Sequence, residues 1–121
     1  MPVFTVNGIP DSTDRVLLDS LIGLIQRAAA KPLALQPGDV SVFFPTDLVQ
    51  MGLGEELVCL VDGLFVKPER TTEVRQRVFD AVKDVLRGFA ERHLSKCKKV
   101  EVIPSCFDQN RDGFAVWERQ K

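Results

Sequence analysis

Two stretches of the chain read alike at a constant offset. Val40 and Val42 in VSVFF return as Val100 and Val102 in KVEVI, each 60 positions later. The order of pattern leading to each stretch is also the same. A short run rich in β-branched and apolar residues comes first, then a loop with helix-capping residues, then an amphipathic helix, then the repeated strand. In the first half Val3 to Val6 is the opening strand and Asn7-Gly8 its turn signal. A helix is expected from about Asp14 to Ala30, with Asp11, Ser12 and Thr13 as candidate caps and Lys31-Pro32 as its stop. Leu17, Leu21, Ile25 and Ala28 form its stripe, widened by Leu18 and Ile22. Val40 to Phe44 then reads as a buried strand. In the second half ELVCLVDGLFV is the strand and KPERTT the capping loop. The helix is expected over Glu73 to His93, with Val74, Val78, Val82, Val85 and Phe89 facing inward, and Lys99 to Ile103 closes the unit.

A strand that crosses through a helix to a second strand pairs with it in parallel and right-handedly. The chain is therefore expected to be α/β (α+β in some schemes), two fused βαβ units in one four-stranded mixed sheet with two helices on a single face. Its 121 residues make one domain, divided into repeats at about 2–54 and 55–121. With both helices on one side, the other face of the apolar strands needs a neighbour. Self-association through the sheets is expected.

Composition closes off several function classes. Sixteen basic against seventeen acidic side chains leave a net charge of −1. That balance does not suit a protein gripping nucleic acid or an anionic membrane through bulk charge. No window reaches the apolar length of a membrane span, since Asp19 and Arg27 break the best one. The first residues also lack the basic-then-apolar pattern of a secretory signal. Cys59, Cys97 and Cys106 make an odd count without a C-x-x-C pair, as expected of free thiols in a reducing cytoplasm.

Few residues invite chemistry. Pro2 stands directly behind Met1 and ahead of a strand. As a strand opener it is tolerated, because the first residue need not donate to the ladder. If Met1 is removed, Pro2 instead offers a free secondary amine with a reference pKa of about 7.7–8.0, which an apolar pocket and nearby cations would lower toward a working base. Lys67 and Arg70 in KPERT sit where a loop opens a helix. They are either solvated charges or a carboxylate site. Lys31 is either a further pocket cation or a complement to the dipole of the first helix.

Other features carry less. Asp108, Asn110, Asp112 and Gly113 match the start of a calcium loop, but its twelfth position is Arg119, so a tight turn is expected and no metal. Gly52 and Gly54 fit no phosphate loop and read as hairpin or bulge residues. His93 is the only histidine and suits a helix C-terminus. Phe114 and Trp117 are expected to pack as a last strand or a lid.

Taken together, the Met-Pro start, the β-α-β-β-α-β order and the 60-residue repeat resemble the tautomerase superfamily. MPVFTVN is similar to the opening of its macrophage migration inhibitory factor branch. VSVFFPTDLVQMGLGEE resembles the second strand and glycine hairpin of its 4-oxalocrotonate tautomerase branch, and GLFVKPERTTEVRQ resembles the strand-to-helix passage of its fused members. The resemblance implies a cofactor-free homotrimer with an N-terminal proline at the base of an apolar pocket. By position, Pro2 would be the acid/base in keto–enol proton transfer. Arg70, Lys67 and Lys31 would bind a small carboxylate or keto acid. The pattern departs at Ser12 and Ser41, where the 4-oxalocrotonate branch carries arginines.

Overall fold

The computed structural model describes residues 2–45, 54–105 and 107–119. The elements follow the repeat: β1 (Val3–Asn7), α1 (Arg15–Leu33), a 3-10 turn (Pro37–Asp39), β2 (Ser41–Phe43), β3 (Glu56–Asp62), α2 (Thr72–His93), β4 (Lys99–Pro104) and a final helical turn, α3 (Gln109–Asp112). The four strands form one mixed sheet in the order β2-β1-β3-β4. Each βαβ unit supplies a parallel pair, β1 with β2 and β3 with β4, as the crossover helices require. The units join through an antiparallel pairing of β1 with β3, in which Val3 lies opposite Asp62 and Asn7 opposite Val58.

Alternation along the strands sets the two faces. Phe4, Val6, Leu57, Cys59 and Val61 point to the helices and are essentially inaccessible to solvent. Against them α1 lays Leu21, Ile25, Ala29 and Leu33, and α2 lays Val78, Val82, Leu86 and Phe89. The expected stripe on α2 shifts by one residue near its end. Leu86 takes the innermost position and Val85 packs at the margin of the core. On the opposite face the cross-strand neighbours Phe43, Thr5, Leu60 and Ile103 fall in a single row. Phe43, Leu60 and Ile103 in that row are exposed, so β2 is less buried in one chain than its sequence suggests.

Local chemistry explains the ends of the elements. Asp14, not one of the three residues before it, caps α1 by accepting from the Val16 N–H at 2.8 Å. Thr13 instead ties back to the Pro10 carbonyl at 2.7 Å. The helix does not stop at Lys31 but carries Pro32 in its last turn. A proline there gives up the N–H bond to the preceding turn and crowds the carbonyl four residues back, a cost confined to the end of the helix. Ala34 then ends the helix in the left-handed conformation, and the Leu35 N–H reaches the Ala30 carbonyl at 3.0 Å. Thr71 caps α2 as expected, accepting from Val74.

Gly8 turns the chain out of β1 with φ +101°, and a Cβ there would run into the Glu56 carbonyl oxygen. Gly54 donates to the Gly8 carbonyl at 2.8 Å, which accounts for one of the two glycines read as hairpin residues. Gly52 lies outside the described residues. The run ELVCLVDGLFV is strand only as far as Asp62, because Gly63 adopts φ +68° and redirects the chain. No helix among the described residues is long and apolar enough to cross a membrane.

Cys59 carries a consequence for reactivity. It lies at the centre of β3 in apolar surroundings, which disfavour the charged thiolate and push its pKa up to about 12. At pH 8 the thiolate fraction is then only about 10⁻⁴. Cys97 is half-buried beside β4 and open to solvent on one side. Alkylation of native protein followed by peptide mapping should label Cys97 while sparing Cys59 until denaturant is added. Equal labelling of the two would contradict the packing of β3.

Candidate functional site

The end of the sheet where β1 begins and β3 finishes opens into a cavity of about 1160 Å³. Strand pairing determines which groups meet there. Pro2 precedes Val3, whose partner is Asp62, so the proline lies beside the Asp62–Gly63 corner. Its carbonyl accepts from the Ser41 N–H at 3.0 Å, which ties it to β2 as well. Pro2 is buried, and it lines the cavity together with Leu35 and Asp39 from the α1–β2 connection. Pro2 thus does open a strand. It also sits where a pocket begins.

KPER forms the cationic wall. The Arg70 N–H bonds to the Lys67 carbonyl at 3.0 Å, closing a four-residue turn with Pro68 at its second position, where a fixed φ near −65° is favourable. The turn places both Lys67 and Arg70 on the cavity. Arg70 donates from Nη1 to the Phe65 carbonyl at 2.9 Å, which fixes the direction of its guanidinium. Partial burial lowers its pKa from the ordinary arginine value, and Glu69 next to it acts the other way. Arginine remains charged regardless. Among the described residues no carboxylate lies within ion-pair distance of Arg70, so its charge is not consumed by a fixed partner.

Lys31 is placed differently. It is exposed in the last turn of α1 and does not line this cavity in a single chain. Its position complements the negative end of the helix.

The acidic lining was not legible in sequence. Asp39, Asp62 and Glu118 reach the cavity from three separate segments that no motif links. Two of these carboxylates are already engaged. Asp62 accepts from the Ser105 hydroxyl at 2.7 Å, and Asp39 accepts from the Gln36 N–H at 3.1 Å in a capping box.

Of the aromatic wall, only Phe114 stands out in sequence, as part of a last strand or a lid. Phe65 stands between Phe107, at 5.6 Å, and Phe114, edge-on at 4.7 Å. The segment that follows Asp108 is a single helical turn and, among the described residues, not a strand. Asp108 accepts from the Asn110 N–H and Asp112 accepts from the Asp108 N–H, so two of the calcium-loop look-alikes are spent on capping. With Arg111 also bonded to it, Asp112 is held down to a pKa of about 2. Phe114 packs at the cavity, whereas Trp117 stays 74% exposed with the Arg119 guanidinium over its ring. His93 ends α2, with its ring 5.0 Å from Phe89.

No protein-family sequence model and no curated protein sequence matches the chain. Its architecture does match solved structures. A fused 4-OT in an asymmetric trimer superposes with a TM-score of 0.68 at 12% identity, covering 94% of this chain and 91% of that one. A malonate semialdehyde decarboxylase inhibited by 3-bromopropiolate gives 0.60 at 18% identity, over 96% and 91%. A member of the cis-3-chloroacrylic acid dehalogenase family gives 0.57 at 14% identity, over 84% and 75%. All three structures belong to the tautomerase superfamily. The chain has the tautomerase fold, as its repeat and its Met-Pro start suggest.

Proposed function

We propose that this protein is an enzyme that moves a proton between the keto and enol forms of a small carboxylate-bearing substrate. The Pro2 amine, freed by removal of Met1, serves as acid and base. Arg70 and Lys67 hold the carboxylate or the developing enolate oxygen, where preorganised positive charge is most effective. One observation carries the reading. Pro2 and the turn that carries Lys67 and Arg70, far apart in sequence, line a single cavity beside Phe65, Phe107 and Phe114. The fold adds support, since its solved relatives include a tautomerase, a dehalogenase-family member and a decarboxylase. Lys31 has no part in the site of a single chain.

The test is enol-to-keto conversion of phenylenolpyruvate by protein whose mass shows loss of Met1. Retention of Met1 in the native protein would sink the reading, because an acylated proline nitrogen is not a base.

A second reading draws on Asp39, Asp62 and Glu118. Carboxylates beside the cations could activate water for hydration of a three-carbon acid, or assist its decarboxylation. Turnover of such acids without conversion of enols would favour it. Binding of carboxylates with no turnover at all would leave a small-acid-binding protein.

The reading includes a homotrimer in a reducing cytoplasm, with the row of Phe43, Leu60 and Ile103 buried between copies. Exposed apolar side chains aligned on three of the four strands, β2, β3 and β4, support this. A mass three times that of the chain is expected by light scattering, and a monomer would contradict it.

A further inference from the structure

The cavity is larger than a short acid needs. At about 1160 Å³ it exceeds the roughly 300–1,000 Å³ usual for ligand pockets, and a three-carbon acid would leave most of it wet. One pole is the cationic turn that carries Arg70. Beside it lies the aromatic cluster, which belongs to two different parts of the chain. Phe65 follows β3, whereas Phe107 and Phe114 flank α3.

The fastening between these parts is specific. The Gln109 side chain accepts from the Val66 N–H at 2.9 Å and donates to the Val66 carbonyl at 2.8 Å. A carboxamide thus replaces a strand neighbour, satisfying both backbone groups of one residue from 43 positions away. On one side of that clamp Phe65 presents its ring to Phe107 and Phe114. Its carbonyl accepts from Arg70 Nη1. The same short stretch therefore aligns the aromatic wall and the guanidinium.

We propose that the α3 segment is a specificity wall: Phe107 and Phe114, held against Phe65 by the Gln109–Val66 clamp, form an apolar subsite beside Arg70, so that the cavity takes carboxylates bearing an aryl or comparably large apolar group. Phe114 is the specificity-determining residue and Gln109 the positioning residue. The inference rests on the proposed carboxylate site at Arg70, but not on proton transfer. The edge-on pair of Phe65 and Phe114 leaves Phe114 57% exposed, so a third ring can pack there without displacing the core.

Binding of unreactive acids to the full-length protein tests this separately from catalysis. By calorimetry, 3-phenylpropanoate is expected to bind roughly ten- to a hundredfold more tightly than propanoate, from the apolar area it buries. Phe114→Ala should collapse that ratio toward one. Gln109→Met, which keeps the volume and loses both hydrogen bonds, should lower it as well. In any enol assay Gln109→Met should raise KM far more than it lowers kcat. Equal affinities for the two acids in the unaltered protein, or no measurable binding of 3-phenylpropanoate, would overturn the proposal. So would a Phe114→Ala variant that weakens both acids by one factor. Discrimination without turnover would leave the wall standing and remove the tautomerase reading. Turnover without discrimination would do the reverse.

Discussion

A single residue left in front of Pro2 is expected to slow enol-to-keto conversion by about 10²–10⁴-fold, the range that a positioned acid/base contributes. The nitrogen of an internal proline is a tertiary amide whose lone pair is delocalised, so it neither takes nor returns a proton. Extended protein and processed protein differ in nothing else, because Pro2 has no N–H to lose from the ladder and its carbonyl stays bonded to Ser41. Circular dichroism and thermal stability should therefore be the same for both. Pro2→Ala, processed to the same length, should fall between them. It keeps an amine but loses the ring that fixes the direction of the lone pair. Stopped-flow rates with phenylenolpyruvate would distinguish the three forms, and equal rates throughout would show that the amine is not the base.

Arg70→Ala should lower kcat/KM for a carboxylate substrate by about 10- to 150-fold, the kinetic equivalent of a charged hydrogen bond worth about 1.5–3 kcal/mol. The division of that loss locates the group. A rise in KM alone means that Arg70 grips a carboxylate that does not change during reaction, whereas a fall in kcat means that it meets charge developing on the enolate oxygen. Arg70→Lys should recover only part of the loss. An ammonium keeps the charge but cannot bond the Phe65 carbonyl and a carboxylate with one rigid fork. If neither kcat nor KM changes, the cationic turn is not part of the site.

The fold could be read from sequence because its signals are local and repeated. Periodicity in α1 and α2, the Asn7-Gly8 turn and the 60-residue echo of Val40 and Val42 each depend on neighbours a few residues apart, or on simple alignment. Elsewhere a tertiary contact outweighs a local preference. Lys31-Pro32 is a local stop signal, yet burial of Leu33 and the left-handed closure at Ala34 carry α1 one turn further. The cationic half of the site was legible because KPERT is contiguous. Asp39, Asp62, Glu118, Phe65 and Phe107 were not, since no spacing in sequence relates residues that only the register of β1 with β3 and the side chain of Gln109 bring together.

The central place of β1 has a consequence for precision. Chain ends ordinarily fray, and a reactive group at one would sample a broad range of positions. Pro2 directly precedes a strand hydrogen-bonded on both sides, with Phe4 and Val6 sealed beneath the helices, and its own carbonyl is bonded to Ser41. To loosen Pro2 the molecule would have to part β1 from β2 and β3, which amounts to undoing the junction of its two halves. Local opening of that kind approaches the free energy of global unfolding. Once Met1 is removed, as proposed, the Pro2 nitrogen would be held by the sheet that carries it.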